Sequence, residues 1–187
     1  VASLYIGTDG RYYFAGHRSS DGTDAGNDLL IGRLASNGSF DATWGASGRT
    51  IATFSTGDDR ALALASHRDV GIFVVGYADN GARPHFAIGR YNYIGATAPS
   101  GSLDRSFGTF GVAAATSLVP YPNAFYMSGA GKLPSGGYVI LAHNTGASDT
   151  GYAARYLPNG QLDTSFRTTG ASQILNNDKF GRGLWLD

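Results

Sequence analysis

The sequence predicts an all-β protein built from three repeats of about 60 residues, each a four-stranded antiparallel sheet. Two observations carry that prediction. The first is a segment written three times: Asn37-Gly-Ser-Phe-Asp-Ala-Thr-Trp44, Ser100-Gly-Ser-Leu-Asp-Arg-Ser-Phe107 and Asn159-Gly-Gln-Leu-Asp-Thr-Ser-Phe166, with Gly48, Gly111 and Gly170 four positions after each aromatic. The aspartates Asp41, Asp104 and Asp163 set the period, 63 and then 59 residues. The second is that short runs of β-forming residues, separated by turn signals, stand at matching places ahead of each copy, and no window offers a competing helical period.

In chain order, Ser3-Leu-Tyr-Ile-Gly7 and Arg11-Tyr-Tyr-Phe-Ala-Gly16 flank an Asp9-Gly10 turn, a strong hairpin signal. The hairpin recurs from Ala61-Leu-Ala-Leu64 to Ile72-Phe-Val-Val-Gly76, and from Met127 through Leu133-Pro-Ser-Gly-Gly137 to Tyr138-Val-Ile-Leu-Ala142. A third strand follows each time, at residues 28–34, 85–91 and 151–157, carrying Arg33, Arg90 and Arg155 near its end. Fourth strands are expected at 49–54, 112–116 and 171–175. The units run approximately 1–56, 57–117 and 118–176 within one repeat domain of 187 residues. Gly183-Leu-Trp-Leu-Asp187 matches Ser3-Leu-Tyr-Ile-Gly7 at a separation of 180, so 177–187 is expected to begin a fourth unit or to close a ring.

Four-stranded units that bury their faces only against one another describe a β-propeller-like architecture of blades. The pattern resembles the delta-60 repeat family of bacterial propeller-like proteins. Leu4, Asp9, Gly10, Gly16, Arg33, Asn37, Gly38 and Asp41 carry the likeness in the first unit. Leu64, Gly76, Arg90, Tyr91, Leu103, Asp104 and Phe107 carry it in the second, and Arg155, Tyr156, Asn159, Gly160, Leu162, Asp163 and Phe166 in the third. The sequence departs from the family pattern at the middle hairpin turn, which lacks Asp-Gly, and at Trp44, Ala142 and Arg167. The resemblance implies an extracytoplasmic or secreted bacterial protein and no particular activity. Ordinary propellers use about four to eight blades. Three units are therefore expected to belong to a longer array, to pair with a second copy in a six-bladed ring, or to form a compact particle. The opening on Val1, with no leader, leads us to expect a processed or excised segment.

Composition narrows the function classes. Fourteen Lys plus Arg balance 14 Asp plus Glu with no basic run, which argues against a nucleic-acid partner. The longest apolar runs are strand-length, so no membrane span is expected. The absence of cysteine excludes disulfides and thiolate-based metal or nucleophile sites. No motif of a zinc protease, a serine hydrolase or a phosphate-cradling loop is present, and no cofactor is expected.

Residues repeated in every unit suit a scaffold better than a site. Asp41, Asp104 and Asp163 are expected to cap their turns through backbone N–H groups, with Arg33, Arg90 and Arg155 bridging strands or pairing with them. Trp44, Phe107 and Phe166 are expected to pack between blades. Function is sought in what is not repeated. The first unit carries a polar insert, His17 to Asp28, whose Asp21, Asp24, Asn27 and Asp28 could offer oxygen ligands but lack the spacing of a calcium loop. The second carries Asn92 to Pro99, where Tyr93 and Ile94 could anchor a partner. His17, Tyr77 and His143 follow equivalent second strands and would form an arc able to bind a metal or ligand if those strands lie near the axis. The favoured function is a non-enzymatic interaction module presenting its loops to a protein or glycan. The alternative is a metal-binding or hydrolytic propeller with a site at the blade ends.

Overall fold

The computed structural model describes residues 2–7, 9–19, 26–67, 71–79, 84–92, 100–109, 111–115, 125–144, 150–167 and 170–176. Twelve strands and, among the described residues, no helix make the protein all-β. The first sheet is β1 (Ser3–Ile6), β2 (Tyr12–Ser19), β3 (Asn27–Leu34) and β4 (Arg49–Ala52), hydrogen-bonded in that order. The second is β5 (Asp59–His67), β6 (Gly71–Asp79), β7 (Pro84–Tyr91) and β8 (Val112–Ala115). The third is β9 (Phe125–Lys132), β10 (Tyr138–Asn144), β11 (Thr150–Tyr156) and β12 (Ala171–Asn176). All strand pairings are antiparallel. This is the propeller-like arrangement of four-stranded blades that the repeat requires.

Register locks the units together residue by residue. Tyr13 pairs with Arg33, Phe73 with Arg90 and Val139 with Arg155, which makes Tyr13, Phe73 and Val139 equivalent. Alternation along each strand then assigns one face of a sheet to the preceding neighbour and the other to the following one. Between the first two sheets, Tyr13, Ala15, Leu29, Ile31 and Trp44 meet Ala61, Ile72, Val74 and Tyr91. Between the second and third, Phe73, Val75, Ile88 and Phe107 meet Tyr138, Ile140, Ala154 and Tyr156. The core is therefore two interfaces, each filled by one face from either neighbour.

Among the described residues, β5 packs against β1, β2 and β3 of the first sheet and against β9 of the third. The alanine-rich β5 and the glycine-containing β9 allow that approach, since small side chains let backbones come near. Residues 177–187, expected to start a fourth unit, lie outside the described residues.

Candidate functional site

Each unit builds the same polar knot from its repeated segment. The chain turns after the third strand and returns, so that Asp41 N–H donates to the Arg33 carbonyl at 3.0 Å, Asp104 to Arg90 at 2.7 Å and Asp163 to Arg155 at 2.8 Å. The aspartate Oδ1 then accepts from the backbone and hydroxyl of the residue two positions on: Thr43 at 3.0 and 2.5 Å, Ser106 at 3.0 and 2.7 Å, Ser165 at 3.1 and 2.6 Å. This Asx-type cap is why a short hydroxylic residue recurs at that place. Oδ2 faces the arginine, at 3.0 Å from Arg33, 2.7 Å from Arg90 and 2.7 Å from Arg155. The guanidinium also donates to the same hydroxyl, at 2.9, 2.8 and 2.9 Å, and lies over the aromatic, 5.9 Å from the Trp44 ring and 5.1 Å from Phe107 and Phe166.

These contacts hold the carboxylates ionised. The Thr43 hydroxyl, then the Arg33 charge and Arg11, keep Asp41 below the ordinary carboxylate range against the opposing effect of burial. For Asp104 burial is the largest influence and pushes upward, yet Ser106 and Arg90 together outweigh it. Asp163 is lowered chiefly by Ser165, with Arg155 adding to it. In every unit the arginine and the aspartate bind each other and the hydroxyl of their own turn, which makes the knot a scaffold element.

The repeated turn then links one unit to the next. Gly45 N–H donates to the Ser100 carbonyl of the second unit at 2.9 Å, and Gly108 N–H to the Asn159 carbonyl of the third at 2.8 Å. Gly101 and Gly160 have φ of +82° and +85° and lie so close that an added Cβ would stand 2.8 to 2.9 Å from the rings of Trp44 and Phe107. The Ser-Gly or Asn-Gly turn of each following unit thus seats on the aromatic of the one before. Trp44 and Phe107 are fully buried beneath these turns, whereas Phe166 in the last sheet is only partly buried.

The unrepeated residues are distributed differently. His17 is exposed on β2 and His143 partly buried on β10, in the first and third sheets. Tyr77, on β6, donates its hydroxyl to Asp58 at 3.0 Å. All three stand at one register position on the second strands β2, β6 and β10 of three different sheets. Among the described residues no group of three or more His, Asp or Glu side chains is placed to hold a metal ion. Asn27 and Asp28 are engaged elsewhere: Asn27, almost fully buried, donates to Asp58 at 2.8 Å, and Asp28 meets Thr53 and Arg18. Asp21, Asp24, Tyr93 and Ile94 lie outside the described residues.

Sequence reasoning missed the polar clasp centred on Asp58. It draws Asn27 from β3 and Arg60 and Tyr77 from the second sheet, with Arg60 Nε at 2.8 Å. Burial pushes the Asp58 carboxyl up, and hydrogen bonds from Arg60, Asn27 and Tyr77 more than reverse it. Beside it Asp59, fully buried, accepts from Phe54 N–H at 2.5 Å and from Ser55 N–H and Oγ at 3.0 and 2.6 Å. The signal was the Asp58-Asp59 dipeptide, the one place in the sequence where two aspartates are adjacent.

Residues 141–166 match the family model described as a domain of unknown function (DUF5122) beta-propeller. The matched stretch spans parts of β10 and β11 and the third copy of the repeated segment, so it covers the Arg155–Asp163–Phe166 knot. No curated protein matches the chain.

Proposed function

We propose that this likeness to a propeller repeat extends to use: the protein is a non-enzymatic interaction module that presents inter-strand loops to a protein or glycan. One observation carries the reading. The arginines and aspartates that recur in every unit pair within the same Arg–Asp–hydroxyl knot, whereas the insert of residues 17–28 and the insert of residues 92–99 each belong to one unit. A propeller that varies its loops on a constant scaffold offers variable recognition, because loops placed by a rigid framework carry function. The three units, approximately 1–56, 57–117 and 118–176, act in this reading as one repeat domain of the delta-60 kind, in a bacterial extracytoplasmic setting.

The test is a glycan array and a surface-protein display panel probed with the full chain and with two variants. In one, the second insert is shortened to the length of the first unit's connection; in the other, Tyr93 and Ile94 are changed to serine. Binding that both variants lose while their melting stays parental supports the proposal. Stoichiometric zinc or calcium in the purified chain, removed by a His17→Ala/His143→Ala pair, would favour the metal-binding alternative instead.

A further inference from the structure

The register of the strands sorts the charged residues between two ends of the molecule. Tyr12 pairs with Leu34, Ile72 with Tyr91 and Tyr138 with Tyr156 at one end of the three sheets, and Ser19 pairs with Asn27, Asp79 with Pro84 and Asn144 with Thr150 at the other. The first end carries the knots and runs on from sheet to sheet, because Gly45 donates to Ser100 there and Gly108 to Asn159. The second carries the Asp58 clasp, where Asn27 of the first sheet reaches the second. Formal charge is zero for the whole chain, yet neither end is neutral.

At the knot end Arg11, Arg33, Arg90 and Arg155 answer Asp9, Asp41, Asp104 and Asp163. Arg49, Arg105, Lys132 and Arg167 stand at the same end, which leaves it four positive charges in excess among the described residues. At the clasp end Asp28, Asp58, Asp59 and Asp79 outnumber Arg18 and Arg60. The Arg33–Asp41 pair is buried, whereas Arg49, Arg105 and Arg167 are exposed, so the surface that meets a partner at the knot end is the positive one. Composition hides this polarity, since the cations lie far apart in sequence and only the fold gathers them. The second insert leaves from the same end. Asn92 N–H donates to the Ser102 carbonyl and the Asn92 carbonyl accepts from Gly101 N–H, both at 2.8 Å, and residues 92–99 carry no charge. The first insert stands on Ser19 and Asn27 at the clasp end, so the two inserts serve opposite surfaces.

We propose that the knot end binds an acidic polysaccharide, a polymer of carboxylate-bearing sugars, across the three units. This names the partner class within the interaction-module reading and rests on it. The excess cations are distributed over all three units, which suits a polymer of regularly spaced carboxylates better than one compact anion. Guanidinium groups meet planar carboxylates with paired N–H donors, and a positive end opposite a negative one orients the approaching polymer. A nucleic acid, whose backbone grip uses about six to ten cationic contacts, asks for more than this end offers.

The test is binding of the full chain to polygalacturonate by biolayer interferometry, with neutral dextran as the reference polymer. Polygalacturonate is expected to bind, dextran not, and the affinity to fall with added salt. Arg105→Gln and Lys132→Gln each weaken binding about threefold. The position after the knot aspartate is exposed in every unit, so Ala42→Arg with Thr164→Arg, the equivalents of Arg105, tightens it about threefold or more. Thr56→Glu makes the same change of one charge as Arg105→Gln, at an exposed position of the clasp end, and leaves binding unchanged. An equal loss from Thr56→Glu would mean that net charge alone attracts the polymer, and it overturns the inference. So does polyaspartate or duplex DNA held more tightly than polygalacturonate, or dextran held as well. Where a glycan array or protein panel yields a ligand without acidic groups and polygalacturonate does not bind, the interaction module stands and this inference falls. Where nothing binds on either panel or on polygalacturonate, both fall.

Discussion

Placing a methyl group on the turn glycine separates the docked turns from the open one. Gly101 and Gly38 share nearly the same left-handed φ, +82° and +85°, so alanine at either meets the same backbone strain. That strain costs about 1–2 kcal/mol, partly offset by the reduced freedom of the unfolded chain, for a net loss of about 1 kcal/mol. Gly101 carries a second penalty, because its Cβ would stand 2.8 Å from Gly45 N and from the Trp44 ring, and neither backbone nor a buried indole can withdraw. Overpacking of this kind costs about 1–3 kcal/mol more. The expected losses are about 2–4 kcal/mol for Gly101→Ala and about 1 kcal/mol for Gly38→Ala. The difference of about 1–3 kcal/mol corresponds, for a chain of this size, to about 2–12 °C in melting temperature. Urea and thermal unfolding measure it. Equal losses at the two glycines would refute the seating of Gly101 on Trp44.

Trp44→Ala removes the largest side chain of the first interface, one that is fully buried, edge-on to Tyr13 at 6.3 Å and under Arg33, and equilibrium unfolding is expected to show a loss of about 3–5 kcal/mol. A parental melting curve would place that indole at the surface. Arg33→Met removes a guanidinium that is 6% exposed but leaves Asp41 bound to Arg11 at 2.8 Å and to Thr43, with an expected loss of about 2 kcal/mol. Arg18→Ala breaks a pair whose arginine is 50% exposed and should change stability by less than about 0.5 kcal/mol; a double comparison by urea unfolding checks the ranking. Asp41, Asp58 and Asp104 have folded pKa values depressed below their unfolded ones, so their contribution is complete above about pH 4 and is lost as pH falls through the folded values. Unfolding free energy should therefore fall steadily with acid from about pH 4 downward, and a flat profile there would contradict the ion-pair knots.

Much of this was legible because short-range chemistry wrote it. Runs such as Ile72-Phe-Val-Val75 and the Asp9-Gly10 turn place strands and a hairpin with no reference to distant residues. The pairing of Arg33, Arg90 and Arg155 with their aspartates was readable from repetition, since each pair closes within its own unit. The seating of Gly101 on Trp44 was not. It depends on the spacing between neighbouring sheets, and a glycine in a turn looks the same whether or not an aromatic lies beneath it. Phe166 makes the same point: its type matches Phe107, and its burial differs. The Asp58 clasp escaped because an argument from repeats passes over what occurs once. His17, Tyr77 and His143 share one register position on β2, β6 and β10, and register carries no radius, so the sequence placed them by strand and not by distance from an axis.

The claim on which the rest depends is that the three sheets are latched into one body by turn-to-knot contacts across their boundaries. Amide hydrogen exchange resolved at Gly45 and Gly108 tests it most directly, because these N–H groups donate across the boundaries to Ser100 and Asn159. The account predicts that both exchange as slowly as the amides of β2 and β6, opening only with the core. Exchange at the rate of an open turn, beneath strands that remain protected, would mean three sheets that fold side by side without the latch.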